Sequence, residues 1–293
     1  MNTQREQLIQ TWLQAVLQSD QFEISFLAGD ASFRRYARIK LQNKTYMLMD
    51  APPEKEDCIP FVSIDEFFDG HGVRVPHIVA KDLTQGLLLL EDFGDVVLST
   101  LLNDETVDQY YAQSFKQLIE LQQIDGKNHL PAYSYEKLMT EMRLLTEWML
   151  PSLNIQPTEQ QLETIEQAFD FLAIEATHQP QVIVHRDFHS RNLMKIDNEQ
   201  VLGVIDFQDA VIGADTYDLI SITRDAYVQW NPERVYEWFE VFYNLLPAAA
   251  KENRSFEQFK RDADLMAIQR HLKILGIFVR LFERDGKSGY LKD

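Results

Sequence analysis

The chain has 293 residues, of which 45% are hydrophobic, so it is long enough to build one large or two medium domains with a substantial core. Because 28 Lys and Arg stand against 46 Asp and Glu, the net charge of -18 opposes binding to nucleic acid or to an anionic membrane surface. The single cysteine, Cys58, cannot form an intrachain disulfide, which favours a reducing compartment, so we expect a cytoplasmic protein. With this charge we expect no nucleic-acid or membrane partner, and no obligate protein partner is evident from the sequence.

The first third of the chain is predicted to contain a surface helix followed by an antiparallel sheet. An apolar stripe at helical spacing, interrupted by glutamines, is typical of an amphipathic helix and not of a signal peptide. Short segments rich in aromatic and apolar residues then alternate with turn formers, a pattern typical of strands. The predicted elements are a helix over 1–18, strands over 22–29, 33–41 and 45–50, a helix over 59–69, and strands over 77–80 and 86–92.

From residue 95 onward, longer segments with helical apolar spacing dominate the sequence. The predicted elements are helices over 95–102, 105–124, 135–149 and 158–177, strands over 181–184 and 201–206, and helices from about 216 to 282. Thr158 and Gln161 are spaced as a capping box, which marks one helix start. The order predicts an α+β fold with a small sheet-rich N-terminal lobe, residues 1–91, and a larger, mainly helical lobe, residues 92–293.

The stretch VIVHRDFHSRNLM, residues 182–194, contains an apolar strand that ends at a cluster of charged and polar residues. His185 and His189 have the four-residue spacing of a zinc pair on a helix. They lie where a strand ends, however, which disfavours a metal site. A purely structural loop is the other alternative that this stretch leaves open when it is taken alone.

A second stretch, VLGVIDFQDA, favours a catalytic loop over a structural one. Asp206 is the last residue of a predicted strand and would reach the same cleft as Asp187 and Asn192. Phosphoryl transfer needs a carboxylate that orients the attacking hydroxyl and two oxygen ligands that hold magnesium against the nucleotide phosphates. Those three residues supply this set in the expected order along the chain.

The motifs HRDFHSRN and IDFQDA resemble the catalytic loop and magnesium loop of the aminoglycoside phosphotransferase/choline kinase family. The resemblance extends to the order of the lobes over nearly the whole chain. It implies a protein-kinase-like two-lobe fold that uses ATP and Mg²⁺. By the same resemblance, Asp187 is the catalytic base, and Asn192 and Asp206 are magnesium ligands. His189 would brace the catalytic loop, and Asp218 would anchor it.

The resemblance also implies where the nucleotide would bind. The turn between the first two strands would cover the phosphates, because glycine permits the turn and arginines or backbone N–H groups would approach them. The segment LLLLEDFGD resembles the hinge between the lobes, whose backbone would contact the adenine edge. The residues assigned to the nucleotide are Gly29, Ser32, Arg34 and Arg35 in the turn and Glu91 and Phe93 in the hinge.

The sequence departs from the family on the strand that normally carries a phosphate-binding lysine. Here YMLMDAPP offers Met47, Met49 and Asp50 instead. Our hypothesis is that an arginine of the preceding strand region supplies the missing positive charge, the candidates being Arg34, Arg35 and Arg38.

Longer stretches narrow the resemblance within the family. GDASFRRYARI, MDAPPEKEDCIPFV, LLLLEDFGD and GVIDFQDAVIGADTYDLISITRDAYVQW are similar to kinases that phosphorylate the anomeric hydroxyl of N-acetylmuramate and N-acetylglucosamine in cell-wall recycling. The implied partner is a small amino sugar, and the implied products are α-1-phosphates. Besides Asp187, we assign Arg224, Asp225 and Tyr227 to the acceptor, because these side chains suit sugar hydroxyls, ring faces and a lactyl carboxylate. Tyr227 fits the apolar core equally well.

Two other functions remain open from the sequence. A kinase of another hydroxyl acceptor, of the aminoglycoside, choline or homoserine type, would carry the same motifs, and the acidic composition suits a cationic acceptor. A nucleotide-binding pseudokinase would explain the missing lysine. The intact Asp187, Asn192 and Asp206 disfavour that second alternative.

Overall fold

The computed structural model describes residues 3–27 and 34–292. An antiparallel sheet comes first and a larger helical part follows, which confirms the predicted α+β class. In the described ranges no helix is long and apolar enough to cross a membrane. The elements are α1 Thr3–Leu17, β1 Glu23–Phe26, β2 Arg35–Leu41, β3 Lys44–Asp50, α2 Ile59–Gly70, β4 Ile78–Asp82, β5 Leu87–Glu91, α3 Val107–Gln122, α4 Tyr135–Leu144, α5 Leu150–Ser152, α6 Glu159–His178, β6 Gln181–Val184, β7 Leu193–Lys195, β8 Leu202–Val204, β9 Val211–Ala214, α7 Tyr217–Thr223, α8 Pro232–Leu245, α9 Ala248–Lys251 and α10 Phe256–Asp285.

The N-terminal sheet has the strand order β1-β2-β3-β5-β4, and all neighbouring strands are antiparallel. Side chains alternate between its two faces. On one face, Ile39 and Leu48 pack against α1, whose Ile9 and Leu13 are 1% and 0% exposed. Full burial of such a side chain stabilises the fold by about 1.5–3 kcal/mol. The apolar stripe predicted for the first helix therefore fixes α1 on the sheet.

Strand β5 is buried on both faces, which explains its unbroken run of leucines. Leu87 and Leu89 face α1, whereas Leu88 and Leu90 belong to the large core that continues through α2 into the helical part. The chain leaves this strand at Glu91 and enters the connection to the helices. A buried strand thus leads directly into the predicted hinge.

The predicted helix over 95–102 is wrong, because the structure has only a single 3-10 turn there. The backbone of this segment instead forms hydrogen bonds with the backbone of residues 190–195. The N–H of Lys195 donates to the carbonyl of Val96 at 2.8 Å, and the N–H of Ser99 donates to the carbonyl of Ser190 at 2.9 Å. Groups used in this way cannot make the internal bonds of a helix.

The two strands predicted around the catalytic loop do not pair with each other. β6 pairs with β9, and β7 pairs with β8; the sequence pattern did not predict β7 or β9. β8 ends at Val204, so Asp206 lies beyond the strand. The β6–β9 and β7–β8 pairs are joined just beyond their strand ends, where Nε2 of His185 lies 3.1 Å from the carbonyl oxygen of Ile205.

Helix α10 packs against both α4 and α7, the elements behind the catalytic loop. Ser255 caps its start by accepting the N–H of Gln258, and Gly286 ends it with a φ of 70°. At Gly276 an added Cβ would lie 2.4 Å from Leu144, so the close approach of α4 requires glycine. This crossing places the buried face of α10 beside the site.

Candidate active site

A buried carboxylate at the start of α7 holds the loop between β6 and β7. The backbone N–H groups of His185 and Arg186 donate to the two oxygens of Asp218, at 2.6 and 3.0 Å. Asp218 is fully buried, and burial raises its pKa to about 7 although the two donors act against this. The geometry matches the anchoring role that the family resemblance implied.

His185 joins the catalytic loop to the segment that carries Asp206. Its ring is fully buried, and burial lowers its pKa to about 4, so the imidazole is neutral at pH 7. Nε2 donates to the carbonyl of Ile205 at 3.1 Å, and Nδ1 accepts the N–H of Asp187 at 3.2 Å. Both nitrogens are occupied, which excludes His185 as a zinc ligand in this arrangement.

Asp187 lies half-buried in the loop and is surrounded by positive charge. Burial acts to raise its pKa, but Lys273, His189 and Arg186 outweigh that effect and hold the pKa below its usual range. The carboxylate is therefore ionised at neutral pH. An ionised carboxylate can accept a proton from a hydroxyl that comes within hydrogen-bond distance.

Asn192 links the residues of the loop to Asp206. Its Nδ2 donates to the carbonyl of Asp187 at 3.0 Å and to Oδ2 of Asp206 at 3.3 Å. Its backbone N–H donates to the carbonyl of His189 at 2.9 Å, and Nε2 of His189 lies 3.4 Å from Nδ2. The fold thus brings together the four residues that the two sequence motifs singled out.

Asp206 lies in the cleft in an unusual backbone conformation. Its φ is 65°, in the left-handed region that residues other than glycine rarely adopt. Loss of hydration in the cleft raises its pKa above the usual range, and the charge of Asp187 adds to this effect. A bound cation would favour the ionised form. The Asp206 carboxylate and the Asn192 amide oxygen are two possible ligands for Mg²⁺, which prefers oxygen ligands.

A cavity of about 350 Å³ lies between the sheet and the helical part. Glu91 and Phe93 line it at the predicted hinge, and Asn192 and Asp206 line it elsewhere. Arg74 packs 4.6 Å above the Phe93 ring and pairs with Glu91 at 2.6 Å. An apolar wall with polar groups at one end suits a nucleotide base and its phosphates.

Only one of the three candidate arginines lines this cavity. Nη2 of Arg34 lies 2.9 Å from Oε1 of Glu56, close to the start of α2, and the guanidinium packs 5.9 Å from the ring of Phe61. Gly29 and Ser32, also assigned to the nucleotide, lie outside the described residues.

The other two arginines do not line this cavity and form ion pairs with other carboxylates, so its lining does not support the assignment of Arg35 to the nucleotide, which stays a prediction. Arg35 pairs with the fully buried Asp50, which also binds Arg5 at 2.7 Å. Arg38 pairs with Asp92 at 2.6 Å and with Asp95 at 2.8 Å. A buried carboxylate needs such partners, so these arginines stabilise the sheet and the hinge.

A second cleft, of about 710 Å³, lies next to the loop on the helical side. Tyr227 lines it, with its ring edge-on to His189 at 5.1 Å and the guanidinium of Arg191 at 3.5 Å over its face. Trp230 also lines it while its indole N–H donates to the hydroxyl of Tyr111 at 3.0 Å. Aromatic walls of this kind suit the C–H faces of a sugar.

Arg224 and Asp225 line the same cleft, but both have protein partners. Asp225 is 7% exposed and accepts the N–H of Ser190 at 2.9 Å together with its hydroxyl. Nη2 of Arg224 lies 2.6 Å from Oδ1 of Asp264. Both side chains line the cleft while being held by protein partners, so their assignment to the acceptor stays a prediction. Asp225 holds the second half of the loop, and Arg224 belongs to an ion pair of the helical part.

The sequence reasoning missed a buried polar cluster behind the loop. Nζ of Lys273 donates to the hydroxyl of Tyr217 at 3.1 Å and lies 3.3 Å from Glu141, which also pairs with Arg186. Arg270, one turn earlier on α10, is 4% exposed. Two cations three residues apart on the apolar face of a long helix are unusual, and that pattern was a readable signal.

Comparisons with known proteins agree with this geometry. The profile of the phosphotransferase enzyme family matches residues 23–253. The N-acetylmuramate/N-acetylglucosamine kinase of Pseudomonas putida is 40% identical over 268 residues, 91% of this chain and 78% of that protein. A Plasmodium vivax ethanolamine kinase has a TM-score of 0.69 at 14% identity, over 93% of this chain and 80% of its own. An aminoglycoside phosphotransferase solved with streptomycin and ATP has a TM-score of 0.63 at 18% identity, over 98% and 96%. The structural similarities confirm the predicted kinase-like fold.

Proposed function

The chain belongs to the phosphotransferase enzyme family, and we propose that it is an ATP-dependent kinase of the anomeric hydroxyl of N-acetylmuramate and N-acetylglucosamine. The observation that carries the proposal is that Asn192 hydrogen-bonds to both Asp187 and Asp206, and that Asn192 and Asp206 line the cavity suited to a nucleotide. The name of the Pseudomonas putida relative supports the choice of sugars. Because ATP is the donor, we propose that the protein acts in the cytoplasm, on amino sugars recovered from the cell wall.

Asp187 would act as the general base. The anomeric hydroxyl oxygen attacks the γ-phosphorus, the bond from that phosphorus to the bridging oxygen breaks, and ADP leaves with the electron pair. The hydroxyl proton passes to the Asp187 carboxylate, whose lowered pKa keeps it ionised beforehand. An anomeric hydroxyl is more acidic than an ordinary alcohol because the ring oxygen withdraws electrons, so a carboxylate is an adequate base.

Asn192 and Asp206 would hold Mg²⁺ in this site. When bound, Mg²⁺ supplies positive charge against the β- and γ-phosphates. In the described part of the chain, no three His, Cys, Asp or Glu side chains converge as a metal cluster. Two protein oxygens are enough, because Mg²⁺ in nucleotide sites takes its other ligands from phosphates and water.

Arg34 would replace the lysine that this family normally carries on the third strand. A kinase lysine pairs with a helix glutamate and with the nucleotide phosphates. Arg34 pairs with Glu56 next to α2 and lines the same cavity as Asp206. Two observations support this role: the partner is a glutamate near the corresponding helix, and the neighbouring Arg35 and Arg38 are held by other carboxylates.

The proposed reaction can be tested by phosphorus NMR of the product formed from MgATP and each of four acceptors. We would offer N-acetylmuramate, N-acetylglucosamine, choline and an aminoglycoside in parallel, with an Asp187→Asn variant as the negative control. A phosphate resonance coupled to the first proton of the sugar identifies anomeric phosphorylation. Reaction with only choline or the aminoglycoside would overturn the sugar assignment while retaining the kinase chemistry. Nucleotide binding with no product from any acceptor would favour a pseudokinase.

A further inference from the structure

Arg270 differs from the other buried cations in lacking a protein acceptor for two of its nitrogens. The buried cationic side chains of the described residues are Arg254, Arg270 and Lys273. Arg254 pairs with Asp215 and Asp262, and Lys273 pairs with Glu141. Neither Nε nor Nη1 of Arg270 has a hydrogen-bond partner within residues 3–27 and 34–292, although its side chain is only 4% exposed.

Such an arrangement is costly unless something else satisfies it. A buried donor without an acceptor loses its hydration and gains nothing in return, and the loss is larger for a charged group. Buried polar groups in native proteins therefore nearly always have partners. The adjacent Gln269 is fully buried with both amide atoms unpaired among the described residues, so this point of α10 offers several polar groups to a ligand, and the acceptor that suits a guanidinium best is an anion.

The position of Arg270 indicates which ligand that is. Its charge acts on Asp187 and His189 of the catalytic loop, and on Asp218 beneath that loop. The next residue, His271, lines the 710 Å³ cleft on the helical side, as does Ile274 one turn later. Arg270 itself lines neither this cleft nor the nucleotide cavity, but these two neighbours on α10 line the cleft and not the cavity. The anion it could meet would therefore belong to the acceptor.

We propose that Arg270 binds the carboxylate of an anionic acceptor sugar and thereby favours it over a neutral one. This inference rests on the proposed function, in which the anionic acceptor is N-acetylmuramate and the neutral one is N-acetylglucosamine. The planar guanidinium presents two parallel N–H donors that match a carboxylate. Arg224, the arginine that the sequence pattern suggested for this task, is already paired with Asp264.

The test compares kcat/KM for the two sugars in the wild type and in Arg270→Met. For N-acetylmuramate we expect a loss on the order of 100-fold, because removing one partner of a buried charge pair leaves the other unpaired. For N-acetylglucosamine we expect a smaller loss, on the order of 10-fold, because Asp187 loses a neighbouring positive charge while this sugar loses no ion pair, so the ratio of the two kcat/KM values should fall about 10-fold. The matched control is Arg261→Met, which removes the same charge from an exposed ion pair on the same helix.

An equal loss for both sugars, or a raised KM for ATP, would mean that Arg270 acts on the loop or the phosphates and would overturn the inference. So would an unchanged ratio of the two kcat/KM values. Where Arg270→Met does not fold, Arg270→Lys keeps the buried charge without the planar pair of donors. It should lose about 10-fold on N-acetylmuramate alone. If the wild-type protein phosphorylates neither sugar, the proposed function is wrong. That result is obtained before any variant is made, so it is distinguished from a failure of the Arg270 inference.

Discussion

The two walls of the cleft use charge in different ways. On the sheet side, Arg35 and Arg38 are bound to carboxylates of the sheet and hinge, so their positive charge stabilises architecture. On the helical side, Lys273 and Arg270 are buried behind the loop and act on Asp187 through space. The ion pairs of the sheet side fix the shape of their wall, whereas the buried cations of the helical side also lower the pKa of Asp187. Each of the following experiments tests one side of this contrast.

The largest effect on turnover should come from Asp187→Asn, a substitution on the helical side of the cleft. The amide cannot accept the hydroxyl proton, and general-base catalysis is worth about 10²–10⁴-fold, so we expect kcat to fall on the order of 1000-fold. The affinity for MgATP should change by less than about 3-fold, because no phosphate contact is removed. Steady-state kinetics and calorimetric nucleotide titration measure the two quantities. Asp197→Asn, in an exposed turn, is the control, and near-native turnover of Asp187→Asn would refute the base assignment.

On the sheet wall, Arg34→Met and Arg35→Met should separate phosphate binding from architecture. Loss of Arg34 should raise the KM for ATP by about 10-fold or more, since a charge-assisted phosphate contact is lost. Loss of Arg35 should leave that KM within about 2-fold and lower the free energy of unfolding by about 1–2 kcal/mol, because Asp50 is fully buried. Urea denaturation and initial rates measure both. The contrast fails if the two variants behave alike.

The anchor beneath the loop should make stability and turnover depend on pH. The pKa of Asp218 is raised to about 7 by burial, so the folded protein holds this proton more tightly than the unfolded chain does. The free energy of unfolding should therefore fall as pH rises from about 4 to about 7, by a few kcal/mol at most. Ionised Asp218 accepts both loop N–H groups, so kcat should rise through the same upper range.

The control for this pH effect is Asp218→Asn, measured beside the wild type by urea denaturation and by the pH profile of kcat. The amide does not titrate, so both slopes should flatten in the variant. Identical pH profiles in the two proteins would show that another group controls them.

The smallest effect on stability and on KM should come from Arg74→Met, which breaks ion pairs between the two sides of the cleft. Arg74 pairs with Glu91 in the hinge and with Glu199 beyond β7, and it packs over Phe93. These pairs are partly exposed, so we expect the free energy of unfolding to fall by about 1 kcal/mol. The KM for ATP should rise by about 2-fold as Phe93 loses its support. Lys81→Met, which breaks an exposed pair with Glu66, is the control, and equal effects of the two changes would deny Arg74 a role at the hinge.

Local patterns predicted much of the fold. The capping box of Thr158 and Gln161 is present in full at the start of α6, and the apolar stripe of α1 is the face it buries. Both features depend only on residues within one or two helical turns. The prediction of a helix over 95–102 was wrong for the opposite reason. Ser190 and Lys195, which are distant in sequence, form hydrogen bonds with the backbone of this segment.

The sequence by itself determined which residues form the cluster proposed for catalysis, because Asp187 and Asn192 lie on one short segment and Asp206 follows two strands later. The tertiary structure alone decided which charges act in the cleft. Arg38 meets Asp92 across 54 positions and Arg74 meets Glu199 across 125, and a long side chain can reach any of several carboxylates. Which of them it meets depends on the packing of distant elements, and no local pattern carries that information.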